Sequence, residues 1–134
     1  MSYRFIKKKI SVNVKGTKED RYVARLWQMI TLEQDYIIDM MVERSTASRA
    51  DIEMVIQQFN LQLKQLLQNG QSLNLKRLGI FRPALNVKMV KSADEVDGST
   101  IKGATARFIV SGDMKKRLDN TKIEFKDLNK IKHV

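Results

Sequence analysis

The spacing of apolar residues changes at Gly70, and this change restricts the possible folds more than any other feature. Before Gly70 an apolar stripe recurs at steps of three and four residues, as on one face of a helix: Ile52, Val55, Ile56, Phe59, Leu63, Leu66 and Leu67. After it, Leu73 and Leu75 alternate with polar residues, as in a strand. A long helix followed directly by strands indicates an α+β fold.

The ends of two helices are also predicted. Residues 48–51 (SRAD) place a hydroxyl where it can accept a bond from the first turn of the long helix, and Gly70 predicts its left-handed end. Residues 31–34 (TLEQ) have the form of a capping box, so a shorter helix is predicted from there to about Ser45. The short connection predicts a tight helical hairpin.

The N-terminal segment is predicted to be a β-hairpin. Residues 3–14 alternate, with Ile6, Ile10 and Val12 on one face, and residues 22–30 are apolar on both faces. The polar stretch 15–20 between them predicts a turn or short loop. Trp27 is interpreted as a packing anchor.

Beyond the helices we predict strands, an excursion and a short helix. A strand, a glycine-bearing turn and a second strand containing Pro83 precede a polar excursion over 88–103, and 105–110 form the return strand. Ser111 is placed to cap a short basic helix. Residues 120–134 are either a docked extension or a frayed tail.

Charge indicates the class of partner. The 134 residues include 25 Lys and Arg against 15 Asp and Glu, giving a net charge of +10. Residues 1–31 and 71–134 are basic, whereas 32–70 are mildly acidic. An acidic scaffold between basic flanks is typical of a nucleic-acid binder, and the alternative is a set of merely solvated lysines.

Several classes of protein lack their usual residues here. The chain has no cysteine, and His133 is its single histidine, so we expect neither an enzyme nor a cofactor. The acids Asp94, Glu95 and Asp97 lack the spacing of an EF-hand, so no metal site is expected. No apolar run approaches the ~20 residues that span a bilayer, and no secretory signal is evident. We therefore expect a cytoplasmic protein with neither a membrane nor a small-molecule substrate as partner.

The order of these elements resembles the bacterial HU and integration host factor family of histone-like DNA-binding proteins. Residues 71–81 (QSLNLKRLGIF) resemble its central hairpin, and 107–112 (RFIVSG) resemble the segment before its last helix. The N-terminal hairpin and the step 81–83 (FRP) resemble a longer HU-like variant common in Bacteroidetes. We expect one domain over 1–134, with an HU-like core at 32–119 and extensions at 1–31 and 120–134.

The resemblance implies an IHF-like DNA-binding fold, with a two-helix base, an antiparallel β-sheet and a protruding β-arm at about 86–105. It also implies an intertwined homodimer that is nucleoid-associated, wraps the minor groove of double-stranded DNA and condenses it with little sequence preference. The arm and its root would supply phosphate contacts, and the basic helix is a further candidate. The predicted DNA-binding residues are Arg82, Lys88, Lys91, Lys102, Arg107, Lys115, Lys116 and Arg117.

Two departures from the family pattern keep alternatives open. The arm tip, 92–98, has three acids and no proline, so kinking by intercalation is not expected. Because acids repel phosphate, the alternatives for the arm are a shorter arm, binding through its root, or no DNA binding. Asp113 stands where the family usually has lysine, and we interpret it as a helix-start residue. The alternatives are a protein-interaction or assembly module that has lost DNA binding, and an RNA-binding protein.

Overall fold

The computed structural model describes residues 2–27 and 30–126, and within them the chain forms two compact units. One comprises Met1–Leu32 with Leu118–Val134, and the other comprises Glu33–Arg117. Three helices and two three-stranded sheets make up the described residues. The mixed α+β class is therefore confirmed, whereas the single domain over 1–134 stays a prediction.

The first unit is a sheet built on a hairpin. Strand β1 (Ser2–Val14) pairs with the antiparallel strand β2 (Thr17–Leu26). The two turn residues, Lys15 and Gly16, have φ values of 50° and 83°, as a two-residue hairpin with positive φ at both positions requires. The hairpin is confirmed, but the turn is two residues long and not the predicted 15–20. Strand β2 ends at Leu26, and residues 28 and 29 of the predicted strand lie outside the described residues.

A third strand completes this sheet. Strand β6 (Lys122–Phe125) runs parallel to β1, in the order β2-β1-β6. Phe125 lies opposite Phe5, with ring centroids 5.4 Å apart. Of the two alternatives for the C-terminal segment, docking is therefore correct for this strand, and residues 127–134 lie outside the described residues.

The second unit begins with the helical hairpin. Helix α1 (Gln34–Arg44) starts after Glu33, which makes no side-chain cap, so the predicted capping box at 31–34 is wrong. Helix α2 (Arg49–Gln68) starts as predicted, because Ser48 Oγ accepts from the backbone N–H of Asp51 at 3.2 Å.

The end of α2 satisfies its last carbonyls with a glycine. Gly70 has φ 75°, its N–H donates to the Leu67 carbonyl, and the N–H of Gln71 donates to the Leu66 carbonyl. These paired bonds form the Schellman motif, which requires the left-handed conformation that glycine adopts without strain. The chain thereby turns from helix into the second sheet.

The second sheet has the order β3-β4-β5, all antiparallel. Its strands are β3 (Leu73–Leu75), β4 (Gly79–Val87) and β5 (Ile101–Val110). Helix α3 (Gly112–Asp119) follows, and Ser111 Oγ accepts from the N–H of Met114 at 3.1 Å. The cap predicted at Ser111 is therefore confirmed.

The helical hairpin buries little of its apolar stripe. Among the described residues, the buried large apolar side chains are Ile38 and Ile52, one on each helix. On the same helices, Ile37 and Val55 keep 54% and 61% of their surface exposed. A 134-residue chain normally buries a larger core, so an unusual share of the apolar surface of these helices is exposed in the single chain.

Candidate nucleic-acid interface

Strands β4 and β5 form a two-stranded ribbon with chemically different faces. On one face Phe81 lies opposite Phe108, with ring centroids 4.8 Å apart, and Pro83 lies opposite Ala106. Because directly opposite residues of antiparallel strands share a face, the alternate residues form the other one. Its polar part consists of Arg82, Ala84 and Asn86 on β4 with Gly103, Thr105 and Arg107 on β5, and the apolar pair Ile80 and Ile109 lies at its end next to the arginines.

The polar face is centred on two guanidinium groups. Arg82 and Arg107 are direct cross-strand partners, and both side chains are exposed. Neither strand contains an aspartate or glutamate. Like charges placed directly opposite each other destabilise a sheet, and an anion bound beside this pair would relieve the repulsion. The two arginines predicted at the arm root are thus brought together.

Lys102 lies at an irregularity of the same ribbon. Asn86 pairs with Gly103 and Val87 with Ile101, so Lys102 has no partner on β4. A residue skipped in this way forms a β-bulge, which bends the strand and re-aims the side chain. Lys102 therefore lies next to the polar face without belonging to the regular ladder.

The predicted arm is shorter than expected as a β-structure. Pairing ends at Val87 and Ile101, and residues 88–100 form a loop with short 3-10 turns at Ala93–Glu95 and Gly98–Thr100. The N–H of Lys88 donates to the Thr100 carbonyl at 2.8 Å and closes the loop. The resemblance implied a β-arm at about 86–105, and within that range only 86–87 and 101–105 are strand.

Hydrogen bonds fix the acidic end of this loop. Asp97 accepts from the N–H of Ser99 at 2.8 Å and from the Ser99 hydroxyl, and Thr100 Oγ1 donates to the Asp97 carbonyl at 2.7 Å. The hydroxyl bond from Ser99 is the main cause of the lowered pKa of Asp97. The carboxylate is therefore held in its charged form.

The charges of the loop oppose each other. Lys88 and Lys91 are exposed, and the loop also contains Asp94, Glu95 and Asp97. With two cations against three acids, the loop is weakly repulsive to phosphate, whereas the paired strands carry only cations. The candidate interface is therefore the ribbon, and the loop lysines lie at its edge.

The three basic residues of α3 do not form one patch. Lys115, Lys116 and Arg117 are consecutive, and successive residues of a helix point 100° apart. All three are exposed, but they are spread over more than half of the helix circumference. The cross-strand arginine pair is the feature that sequence reasoning left undetected, since its signal depends on the register of the strands.

Two features are absent from the part of the chain that the structure describes, a membrane-spanning helix and a metal-binding cluster. No helix within 2–27 and 30–126 is long and apolar enough to cross a bilayer. In the same part of the chain, no group of three His, Cys, Asp or Glu side chains is arranged to hold a metal ion.

The family model HU-HIG, described as an HU domain fused to wHTH, Ig, or glycine-rich motif, matches residues 1–125. The chain belongs to this family. The match includes the N-terminal hairpin, so the HU-HIG pattern extends beyond the core that the resemblance suggested. No curated protein matches the chain.

A solved structure has a similar fold. It is the crystal structure of a "Putative bacterial DNA binding protein" from Bacteroides vulgatus, with a TM-score of 0.66 and 15% sequence identity. The alignment covers 92% of this chain and 48% of that one, so the HU-HIG chain spans about half the length of its structural relative. At this identity the likeness shows the fold.

Proposed function

We propose that this HU-HIG protein is an architectural DNA-binding protein without sequence specificity, which contacts phosphates through the polar face of the β4–β5 ribbon. The observation that carries the proposal is the cross-strand pair of Arg82 and Arg107 on strands without acids. Each guanidinium group can donate two parallel hydrogen bonds to the oxygens of one phosphate, so the pair offers two such contacts side by side. Such contacts give affinity that is independent of sequence.

The proposed mode of binding follows from the ribbon and its loop. A two-stranded ribbon can lie along a groove and reach phosphates on both sides of it. The tip, 92–98, offers no proline to insert between base pairs, and its acids repel phosphate. DNA is therefore bound by the root of the arm, with Lys88, Lys91 and Lys102 in supporting positions, and any bending proceeds without intercalation.

We further propose that the protein is a homodimer. The helical hairpin exposes apolar surface along both helices, including Met41, Val55 and Phe59, and a second copy is the simplest partner for such a self-complementary face. In sedimentation equilibrium, we expect a dimer at micromolar concentration. A stable monomer at about 50 μM would contradict the proposal, because this concentration is well above a dimer dissociation constant in the low micromolar range.

The decisive experiment for DNA binding is a fluorescence anisotropy titration with a random-sequence duplex of about 30 base pairs, long enough to contain the whole footprint of a small dimer. Binding should weaken steeply as salt rises, because phosphate neutralisation releases counterions. A structured RNA is the competitor, and preferential displacement by RNA would replace DNA as the proposed partner. With duplex DNA as partner, the protein is expected in the cytoplasm, on the nucleoid, without enzymatic activity.

One observation favours a second candidate, the assembly module. The loop 88–100 is net acidic and exposes apolar side chains, with Met89 92% and Val96 63% exposed. Such a surface suits a protein partner better than DNA. A protein that is retained on immobilised HU-HIG chain after nuclease treatment, and is lost in a Met89→Ser and Val96→Ser variant, would support this candidate.

A further inference from the structure

The N-terminal sheet carries an excess of positive charge that the ribbon proposal does not use. The described residues of its unit (2–27, 30–32 and 118–126) include ten Lys and Arg against four Asp and Glu. Residues 33–117 include thirteen against ten, although they are more than twice as numerous. Most of the net charge of the described chain therefore lies on the sheet β2-β1-β6.

The strand register divides this charge between two faces. One, which we name the Lys8 face, carries four exposed cations on β1 and β2, and the same face also holds half-buried apolar residues and two glutamates. The cations are Arg4, Lys8, Arg21 and Arg25, the apolar residues are Ile6, Ile10, Val12 and Val23, and the acids are Glu19 on β2 and Glu124 on β6. The opposite one, the Lys7 face, carries Tyr3, Phe5, Lys7 and Lys9 on β1 and Phe125 on β6. The two faces share the same strands but differ in what surrounds their cations.

The cations of the Lys8 face alternate between the strands. Arg25 lies opposite Ile6, Lys8 opposite Val23 and Arg21 opposite Ile10. No two cations are direct cross-strand partners, so the row avoids the repulsion of opposed like charges. Successive rows on one face are about 7 Å apart, and four rows extend over about 20 Å. That length corresponds to about six base pairs of duplex.

The central cations of the two faces differ in their partners. On the Lys7 face, Lys7 Nζ lies 5.2 Å from the ring centroid of Phe125, and Lys9 Nζ is 3.0 Å from Asp20 Oδ2. On the Lys8 face, Arg21 forms an ion pair with Glu19, and Arg4 lies opposite Glu124. Lys8 and Arg25 have no hydrogen-bond, ion-pair or ring partner within residues 2–27 and 30–126. Their positive ends remain available for an external anion.

We propose that the Lys8 face is a second DNA-contacting surface, which binds the phosphate backbone of a duplex. The inference rests on the proposed DNA binding and adds a separate site to it. Lys8 and Arg25, the two cations of this face without an acidic partner, can each neutralise one phosphate of a duplex, whose strands carry one negative charge per ~3.4 Å. The aromatic residue of this face, Trp27, follows the ladder opposite Arg4, is half-buried, and has Lys126 Nζ 5.0 Å from its ring centroid. It is therefore not a free stacking platform of the kind that single strands require.

The test compares two charge-matched double variants of the full chain. Lys8→Gln with Arg25→Gln neutralises the Lys8 face, and Lys7→Gln with Lys9→Gln removes the same charge from the Lys7 face. Kd for a fluorescent duplex of about 30 base pairs is measured by anisotropy at several KCl concentrations. Loss of two phosphate contacts should reduce the slope of log Kd against log[KCl] by about 1.8 per protomer. The slope of the Lys7-face variant should differ from the wild-type slope by no more than about 0.5, which is a little over half of the slope that one phosphate contact contributes.

The outcomes separate the two proposals. Equal slopes for the two double variants overturn the Lys8 face as a specific contact, whether both are reduced through net charge or both are unchanged. No binding by the wild-type chain at 50 mM KCl, a salt concentration at which phosphate contacts are strong, overturns this inference together with the proposed function. Wild-type binding that needs Arg82 and Arg107, but not the Lys8 face, overturns this inference alone. Circular dichroism melts verify that both variants fold.

Discussion

Replacing the cross-strand arginines should separate affinity from stability. In an Arg82→Gln and Arg107→Gln variant, each lost phosphate contact reduces the slope of log Kd against log[KCl] by about 0.9, so the pair removes about 1.8 per protomer. Between 50 and 200 mM KCl, wild type should therefore lose about 12-fold more affinity per protomer than the variant. Anisotropy with a random-sequence duplex measures both slopes.

The same variant should not be less stable. Arg82 and Arg107 are opposed like charges, and a cross-strand pair of this kind affects sheet stability by roughly 0.2–1 kcal/mol, with exposed pairs at the low end because water screens them. Neutralising the pair should leave the free energy of unfolding unchanged or slightly higher, as measured by urea denaturation. If the arginine pair served only folding, its replacement would instead lower the free energy of unfolding.

A matched control tests whether net charge alone is responsible. Arg44→Gln with Lys64→Gln removes two charges from α1 and α2, away from the ribbon strands in sequence. We expect this variant to keep the wild-type salt slope. If the ribbon variant keeps its slope, or if both variants lose the same amount, the assignment of the ribbon as the DNA surface is refuted.

Three other predictions concern folding. Gly79→Ala should destabilise the protein by about 2 kcal/mol or more in thermal melts, because an added Cβ would lie 2.2 Å from a carbonyl oxygen of β5. The control variant Gly103→Ala should leave the stability unchanged, because nothing lies within 4 Å of its added Cβ. Ser48→Ala should cost about 1 kcal/mol in urea denaturation through loss of the α2 cap, and Ser48→Asp should restore it. Since the Ser99 bonds lower the pKa of Asp97, their stabilisation is present above the ordinary carboxyl pKa and is lost as pH falls through the lowered value. Ser99→Ala should raise the pKa of Asp97 in NMR titrations, and an unchanged value would contradict this assignment.

Local sequence patterns predicted most of the helices and strands, but only some of the residues at which they begin and end. The start of α2 was predictable because Ser48 bonds the backbone of its own first turn. The box at 31–34 has equally suitable residues, yet α1 starts after Glu33 without a side-chain cap. A local motif makes a capping hydrogen bond possible, but whether that bond forms depends on the backbone conformation that the surrounding structure imposes.

The candidate interface depended on information that local patterns do not contain. The basic residues of the ribbon were predicted individually, but the opposition of Arg82 and Arg107 depends on a register that the bulge at Lys102 alters further along the strands. Likewise, the loop 88–100 was predictable as polar, whereas its folding through Asp97 and Ser99 was not. The amino-acid composition determines the net charge of a surface, whereas the strand register determines which charged residues lie next to each other on it.

The parallel pairing of β6 with β1 has a consequence for the order of events during synthesis. The hairpin β1–β2 is complete once Leu26 has been made, but its third strand ends at Phe125. At about 5–20 residues per second, the β1 edge stays unpaired for roughly 5–20 s while the whole of Glu33–Arg117 is translated. An open edge is a site for wrong pairing, and lysines on such a strand disfavour it. Among the described residues β6 pairs only with Ser2–Phe5, so the run Lys7, Lys8 and Lys9 lies on the part of the β1 edge next to that segment, where we expect it to disfavour wrong pairing both during synthesis and in the folded chain.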